Sequence, residues 1–349
     1  MSQMHLIEER LERLPWYITE FIEYKSRNSS EDTLLSYCRD YEIFFQWLVN
    51  EHITPGPVKA IELETLETLR ARNIISFETF CQRQLGNAKD TIARKIASLK
   101  SLFHYLSQIA EDDNLYPYLK RNVMAKIEVV KQVHTEEERA ENIAGRILVD
   151  DEITLFREFV AHGYGESIKN DTRKWKAYQR NKVRDLAIVS LILGSGMRVS
   201  EIIRLDIDKI DWNNQHLLVK RKGDKLDKIV FSDVACLDLL EYKQIREAQY
   251  KPEANEKAFF LSSPTATGRS TRMSKSAAQR VVDKYADAFG KGALSIHKLR
   301  HTFATNHYKE NGDLAALKRQ LGHSNINTTM IYTHVFDNTL KDAVNKADK

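Results

Sequence analysis

Long apolar runs, cysteine, proline and glycine are all scarce in this 349-residue chain, and each scarcity removes a class of protein. No stretch of about 18 apolar residues occurs, the length a helix needs to cross a bilayer. The opening "MSQMHLIEERLERLPWY" mixes acids and bases without an apolar segment of signal-peptide length. The three cysteines, Cys38, Cys81 and Cys236, are odd in number and far apart, so they suggest neither a disulfide framework nor a CxxC metal spacing. They read as buried apolar residues in a reducing compartment, and a cytoplasmic protein is predicted. With 13 Gly and 6 Pro, the chain is neither disordered nor a turn-rich all-β protein. Overall charge is low as well, a net +4.

What the chain does contain is core. Hydrophobic residues make up 42%, including 14 Tyr, 14 Phe and 4 Trp, and the length exceeds a usual single domain of about 100 to 200 residues. Two mainly helical domains are expected. In "TLLSYCRDYEIFFQWLVNE", Leu34, Tyr37, Tyr41, Phe44, Phe45 and Leu48 form one helical stripe. In "TIARKIASLKSLFHYL" the stripe is Ile92, Ile96, Leu99, Leu102, Phe103 and Leu106, with Arg94, Lys95 and Lys100 outside it. Residues 1–110 therefore read as a helical bundle with a basic face, 111–147 as a charged linker holding a helical piece, and 148–349 as a second domain. The basic residues cluster: "KNDTRKWKAYQRNKVR", "VKRKGDKLDK" and "GRSTRMSKSAAQR" all fall in the second domain. Clusters of that kind suit a polyanion, whereas any one alone would pass for a solvated face.

In the second domain "VDDEITLFREFV" resembles an N-capped helix with acids in its first turn. The segment "RDLAIVSLILGSGMRVSEIIRLDIDKID" reads as an apolar helix broken at Gly194 and Gly196, with a new helix from about Arg198. Arg198 and Glu201 share a face of that helix, where the carboxylate can orient the guanidinium. "HLLVK" and "DKIVF" around Gly223 and Asp224 predict a β-hairpin with Lys222 at its tip, so a small antiparallel sheet joins the helices in an α+β domain. Ser295 is placed to cap a helix carrying His297 and Arg300 on one face, with Leu299 and Phe303 packing inward. A further helix ends at Gly322, a turn carries His323, and a short helix delivers Tyr332.

Two arginines, two histidines, a lysine and a tyrosine fit one chemistry well. A phosphodiester attacked by an oxygen nucleophile gathers negative charge on its non-bridging oxygens, which a pair of bidentate arginines stabilises. A tyrosine can be that nucleophile and hold the phosphoryl group as an ester, while a lysine or histidine protonates the departing sugar oxygen. That chemistry requires no metal or other cofactor.

The ordered set "GSGMRVSE", "KRKGDK", "HKLRH" and "LGHSNINTTMIYTHV" resembles the Arg, Lys, His-x-x-Arg, His, Tyr signature of the tyrosine recombinases, the phage integrase family. "SYCRDYEIFFQWL" and "TIARKIASLKSLFHYL" are similar to that family's core-binding domain, so the resemblance spans nearly the whole chain. It implies Tyr332 as nucleophile, Arg198 and Arg300 as phosphate clamp, and Lys222 as general acid for the 5′ oxygen. His297 and His323 would donate hydrogen bonds or move protons, Glu201 would support Arg198, and Arg94, Lys95 and Lys100 would line a DNA-binding face of a SAM-like first domain.

Within the family, "RLPWYITEFIEYKS" and the basic insert "VAHGYGESIKNDTRKWKAYQRNK" resemble the Xer recombinase that acts alone. The implied role is resolution of chromosome dimers at a dif-like site before cell division, by a homotetramer on two double-stranded DNA sites, under a septal DNA translocase of FtsK type. The tail "FDNTLKDAVNKADK" would dock on a neighbouring protomer. An integrase of a mobile element shares every catalytic residue and is the nearest alternative. A non-catalytic DNA-binding protein would be expected to lack part of the signature. A metalloenzyme built on His297, His301, His307, His323 and His334 lacks the Glu of HExxH and adjacent Cys or carboxylate ligands.

Overall fold

The computed structural model describes residues 3–129, 135, 138, 141–143, 145–221, 226–264, 268–322 and 327–334. It divides into two compact units, Met1–Val133 and His134–Lys349. The chain is mainly α-helical with one small antiparallel sheet. Among the described residues no helix is long and apolar enough to cross a membrane.

The first unit packs six helices: α1 Gln3–Leu11, α2 Trp16–Ser26, α3 Glu31–Asn50, α4 Leu63–Thr68, α5 Ala71–Arg83 and α6 Lys89–Gln108. Helix α3 starts where Ser30 accepts a hydrogen bond from the Thr33 amide, and Glu31 and Asp32 sit in the positive first turn. Its stripe is buried at Leu34, Tyr41, Phe44, Phe45 and Leu48, with Tyr37 at the margin. Helix α6 buries Ile96, Leu99, Leu102, Phe103 and Leu106, and the Tyr41 hydroxyl donates to the Ser98 carbonyl at 3.0 Å across the two helices. Each such Leu or Phe contributes about 1.5–3 kcal/mol, against less than about 1 kcal/mol for a solvated pair such as Arg13 with Glu9, so the apolar seam holds this unit.

Two expectations fail in this unit. Residues 111–129 do not behave as linker: Leu119, Val123, Met124 and Ile127 are buried in the first unit's core, and the Arg121 guanidinium donates to the Glu67 and Leu69 carbonyls. Lys95 does not face solvent. It is 5% exposed, and its ammonium lies 3.3 Å from the carboxylate of Asp40 on α3, itself 2% exposed. A buried carboxylate demands a partner, and Lys95 and Arg94 together supply it.

In the second unit residues 141–143 are helical, and α7 Glu152–Glu158 follows. Asp151 makes no capping bond; the Glu152 carboxylate accepts from the Val149 amide at 2.9 Å instead. A π-turn at Phe159–Gly163 leads into α8 Tyr164–Ile168, and Asp171 caps α9 Thr172–Ser195 by accepting from the Lys174 amide at 3.0 Å. The basic stretch is thus the exposed first half of a 24-residue helix whose second half is apolar and buried. Gly194 does not break that helix. It lies inside α9, where any side chain would run into Ser232 and Ala235. The break is at Gly196 alone, with φ +67° in the left-handed region that closes a helix, and a Cβ there would run into Phe303 and Leu321.

After α10 Val199–Ile203 come β1 Ile210–Asp211, β2 His216–Lys220 and β3 Leu226–Val230, an antiparallel sheet in that order with Leu217 opposite Ile229 and Lys220 opposite Leu226. The expected hairpin is β2–β3, and the two-residue β1 on its edge was not foreseen. Its tip, Lys222 to Lys225, lies outside the described residues. Among the described residues, helices α11 Asp233–Tyr250, α12 Lys275–Ala288, α13 Ile296–Asn311, α14 Leu314–Leu321 and α15 Asn327–His334 follow. Ile188, Leu191 and Ile192 of α9 share one core with Leu239 and Tyr242 of α11, Val282 and Tyr285 of α12, and Leu299 of α13. A separate small cluster joins Ala304 of α13, Leu317 and Leu321 of α14, and Tyr332 of α15.

Candidate active site

The site is built where four helix ends meet. Arg198 is the residue before the first turn of α10, with extended backbone, and Glu201 three residues on reaches back to it. One carboxylate oxygen accepts from the Arg198 amide at 2.7 Å and the other from its guanidinium at 3.0 Å. Glu201 is buried, so a single side chain fixes both the start of α10 and the direction of Arg198. The other Arg198 terminal nitrogen donates to the Gly322 carbonyl at 3.4 Å.

Arg300 enters from α13. Ser295 caps that helix by accepting from the Lys298 amide, as its sequence position suggests, and the second turn carries Arg300 inward to 3% exposure. Its guanidinium donates to the Gly196 carbonyl at 2.5 Å and the Leu321 carbonyl at 2.9 Å, each at the end of a helix. Burial first, and the charge of Arg198 second, lower its pKa to about 10, which leaves it charged at neutral pH. Two cations held this close are mutually unfavourable until an anion lies between them.

Tyr332 projects from α15 into the small cluster and is 2% exposed. Burial pushes its phenol up to about 12, opposed by the positive charges of Arg300 and Arg198. At neutral pH the phenol keeps its proton. Its oxygen lies 2.8 Å from Nδ1 of His301, whose Nε2 is 3.1 Å from Nε2 of His297. Loss of hydration, then the charges of Arg300, Lys298 and Arg198, push the His297 pKa below its ordinary 6.5, so that ring is neutral at pH 7.

The structure therefore brings Arg198, Glu201, His297, Arg300 and Tyr332 into one region. Lys222 and His323, which the sequence adds to them, lie outside the described residues. Residues adjoining them are described: Lys220 and Arg221 before Lys222, and Gly322 before His323. Arg221 was not singled out. Its guanidinium donates to the Gln320 carbonyl at 2.8 Å and the Arg319 carbonyl at 3.2 Å, satisfying the open end of α14, and lies 3.7 Å from Glu201. Gly322, with φ +62°, makes room for it: a Cβ would overlap the guanidinium. His301 was counted only among possible metal ligands. Its spacing of four from His297 in "HKLRH" was the available signal, since residues four apart on a helix touch. Among the described residues no three histidine, cysteine or carboxylate side chains gather as a metal-binding group.

In the first unit Arg94 remains half exposed while forking onto Asp40, and Lys100 is partly buried. Three variants separate these cations. Lys95→Ala is expected to cost about 3 kcal/mol of stability, because it strips a buried ion pair. Arg94→Ala, which removes the fork onto the same Asp40, is expected to cost stability too, and Arg94→Ala and Lys100→Ala are both expected to reduce the salt dependence of DNA binding, by about 0.9 in the logarithmic slope for each phosphate that goes unneutralised. An unchanged slope when Arg94 and Lys100 are replaced together would make both ordinary surface cations.

Comparison with known proteins gives a concordant result. Residues 167–339 match the model of the phage integrase family. Tyrosine recombinase XerS of Streptococcus pyogenes serotype M6 is 35% identical over 344 residues, covering 95% of each chain, and that of serotype M1 is 34% identical over the same span. Among solved structures, the XerH site-specific recombinase bound to a palindromic difH substrate in a post-cleavage complex matches with a TM-score of 0.64 and 20% identity over 95% of each chain. The Tn1549 transposon integrase in complex with transposon right end DNA matches with a TM-score of 0.59 and 17% identity, covering 95% of this chain and 98% of that one. Likeness at those identities speaks for the fold alone.

Proposed function

Because the chain belongs to the phage integrase family of Xer-type tyrosine recombinases, which are site-specific DNA recombinases, we propose that it exchanges strands through a covalent 3′-phosphotyrosyl intermediate on Tyr332. The observation that carries this reading is a buried phenol within reach of a histidine pair and beside two guanidiniums held by helix ends.

Arg198 and Arg300 bind the non-bridging oxygens of the scissile phosphate and stabilise the charge that builds there. The Tyr332 oxygen attacks phosphorus, the bond from phosphorus to the 5′ oxygen breaks, and Lys222 supplies the proton that the 5′ oxygen takes up. Rejoining runs the same steps backward with a 5′ hydroxyl from the partner duplex. Glu201 acts only through Arg198 and Arg221, as a positioning residue. His323, next to Gly322 in the sequence, adds a hydrogen bond to the phosphate.

The identity to curated XerS proteins over nearly the full chain supports resolution of chromosome dimers, at a dif-like site, as the biological role. Joining two duplexes calls for four protomers on two sites, and a septal DNA translocase is the partner expected to license the reaction. Mapping the cut made by the purified protein in its own genome separates this role from that of a mobile-element integrase: a single site near the replication terminus supports the first, element ends the second.

The role of Lys222 has its own test. Lys222→Ala is expected to slow cleavage by about 100-fold, in the range for loss of a general acid, and most of that loss should disappear when sulfur replaces the bridging 5′ oxygen. A thiolate departs without a proton. Equal losses on both substrates would remove Lys222 from the acid role.

A further inference from the structure

The proposed reaction leaves one proton without a destination, that of the Tyr332 phenol. Buried to 2% exposure and with its pKa pushed up to about 12, the phenol does not lose that proton to water readily. Only an ionised or ionising oxygen attacks phosphorus well. The general acid cannot take the proton, because it must be protonated for the other side of the same phosphate.

We propose that His301 is the catalytic base for Tyr332 and that His297 is the terminal acceptor, the two rings forming a proton relay from the nucleophile toward the phosphate. The inference rests on the reading of Tyr332 as nucleophile. His301 Nδ1 is 2.8 Å from the phenol oxygen and His301 Nε2 is 3.1 Å from His297 Nε2, so both ring nitrogens of one imidazole are engaged in series. The ring centres of His301 and His297 lie 4.5 Å apart, so the two imidazoles are in direct contact. Both histidines stand on α13, one turn apart, and α15 brings the phenol to the second of them.

Protons and charges balance along this series. Before attack, the phenol donates to the bare Nδ1 of His301, and the N–H at Nε2 of His301 donates to the bare Nε2 of His297. In the step, the Oη–H bond breaks and an Nδ1–H bond forms on His301. The proton on His301 Nε2 moves to His297 Nε2, and the phenol oxygen electrons form the bond to phosphorus. His301 ends neutral in its other tautomer and His297 ends as the imidazolium. Rejoining reverses every transfer, so nothing has to be supplied from outside.

The surroundings of His297 make the relay conditional on DNA. In the free protein Arg300, Lys298 and Arg198 all disfavour a positive His297. A phosphodiester clamped by Arg198 and Arg300 sets one negative charge against two of those positive ones, and His297 becomes a better acceptor only once the target is in place. The nucleophile is thereby kept as a neutral phenol until a phosphate is available.

The test uses the full-length protein and a nicked duplex bearing the recombination site recovered by binding selection with the wild type. His301→Asn places an amide oxygen near the Nδ1 position and can accept a hydrogen bond from the phenol without taking its proton; His301→Gln extends further. Each is compared with wild type carrying Tyr332 or 3,5-difluorotyrosine, whose fluorines make the phenol more acidic. We expect both variants to bind DNA normally and to form the covalent adduct about 100-fold more slowly, with the deficit falling to about tenfold or less on the fluorinated nucleophile. A deficit under about threefold with tyrosine, or an equal deficit with both phenols, overturns the base role, the latter outcome leaving His301 a structural residue. Tyr332→Phe, run alongside, separates the two failures: if it still forms the adduct, the nucleophile itself is misassigned and the relay falls with it.

Discussion

Tyr332→Phe is expected to bind its DNA site as tightly as the wild type and to yield no covalent adduct. The substitution removes one oxygen and leaves the ring seated against Ala304, Leu317 and Leu321, so the packing of α15 is retained. The structural cost is one hydrogen bond to His301, about 1 kcal/mol, well within the reserve of a folded domain. The chemical cost is complete. The adjacent hydroxyl on α15, that of Thr333, is already engaged, donating to the Met330 carbonyl at 2.7 Å. Binding is read by gel shift and adduct formation by a denaturing gel. Loss of binding together with loss of adduct would mean that the phenol serves the fold.

The second large effect is expected at Arg300. Its replacement by Ala should lower the rate of adduct formation by about 100-fold or more, roughly 3 kcal/mol of transition-state stabilisation, on the scale of deleting a preorganised donor from an oxyanion site. It should also destabilise the protein. Arg300 joins the Gly196 and Leu321 carbonyls, and stripping buried donors from such groups costs about 1–3 kcal/mol each. Arg198, with a more exposed side chain, is predicted to lose a comparable rate with a smaller change in stability. Arg300→Lys keeps a charge and loses the fork, so it should recover part of the rate and little of the stability. Rates come from single-turnover cleavage of a nicked substrate and stabilities from thermal unfolding. Equal rates in wild type and Arg300→Ala would place the phosphate elsewhere.

How far the sequence discloses this arrangement depends on whether a feature is local. Ser295, Gly322 and the β2–β3 hairpin were legible because a cap, a left-handed helix end and a pair of β-prone runs are each set by a few adjacent residues. The convergence of Arg198, His297, Arg300 and Tyr332 followed from their order within a recognisable signature, and spacing alone would not have assembled them. Lys95 was misread because the reason for its burial, Asp40, lies 55 positions away on another helix. The low helix propensity of glycine marks Gly194 as a break, whereas the tight fit of α9 against Ser232 and Ala235 excludes any side chain there and keeps the glycine inside the helix. The four apolar residues after residue 111 were hidden by the charges around them, since their burial answers to the surface of the helical bundle and to no periodicity of their own.

The central claim is that Tyr332 becomes bonded to DNA in a reaction whose charge stabilisation comes from arginines. The most direct measurement is to trap the wild-type protein on a nicked recombination site in the presence of EDTA, digest the adduct and identify the residue that carries the nucleotide. The expected product is a 3′-phosphate ester on Tyr332, formed at an undiminished rate without divalent ions. A nucleotide on any other residue, or an adduct that forms only when a divalent ion is restored, would contradict it.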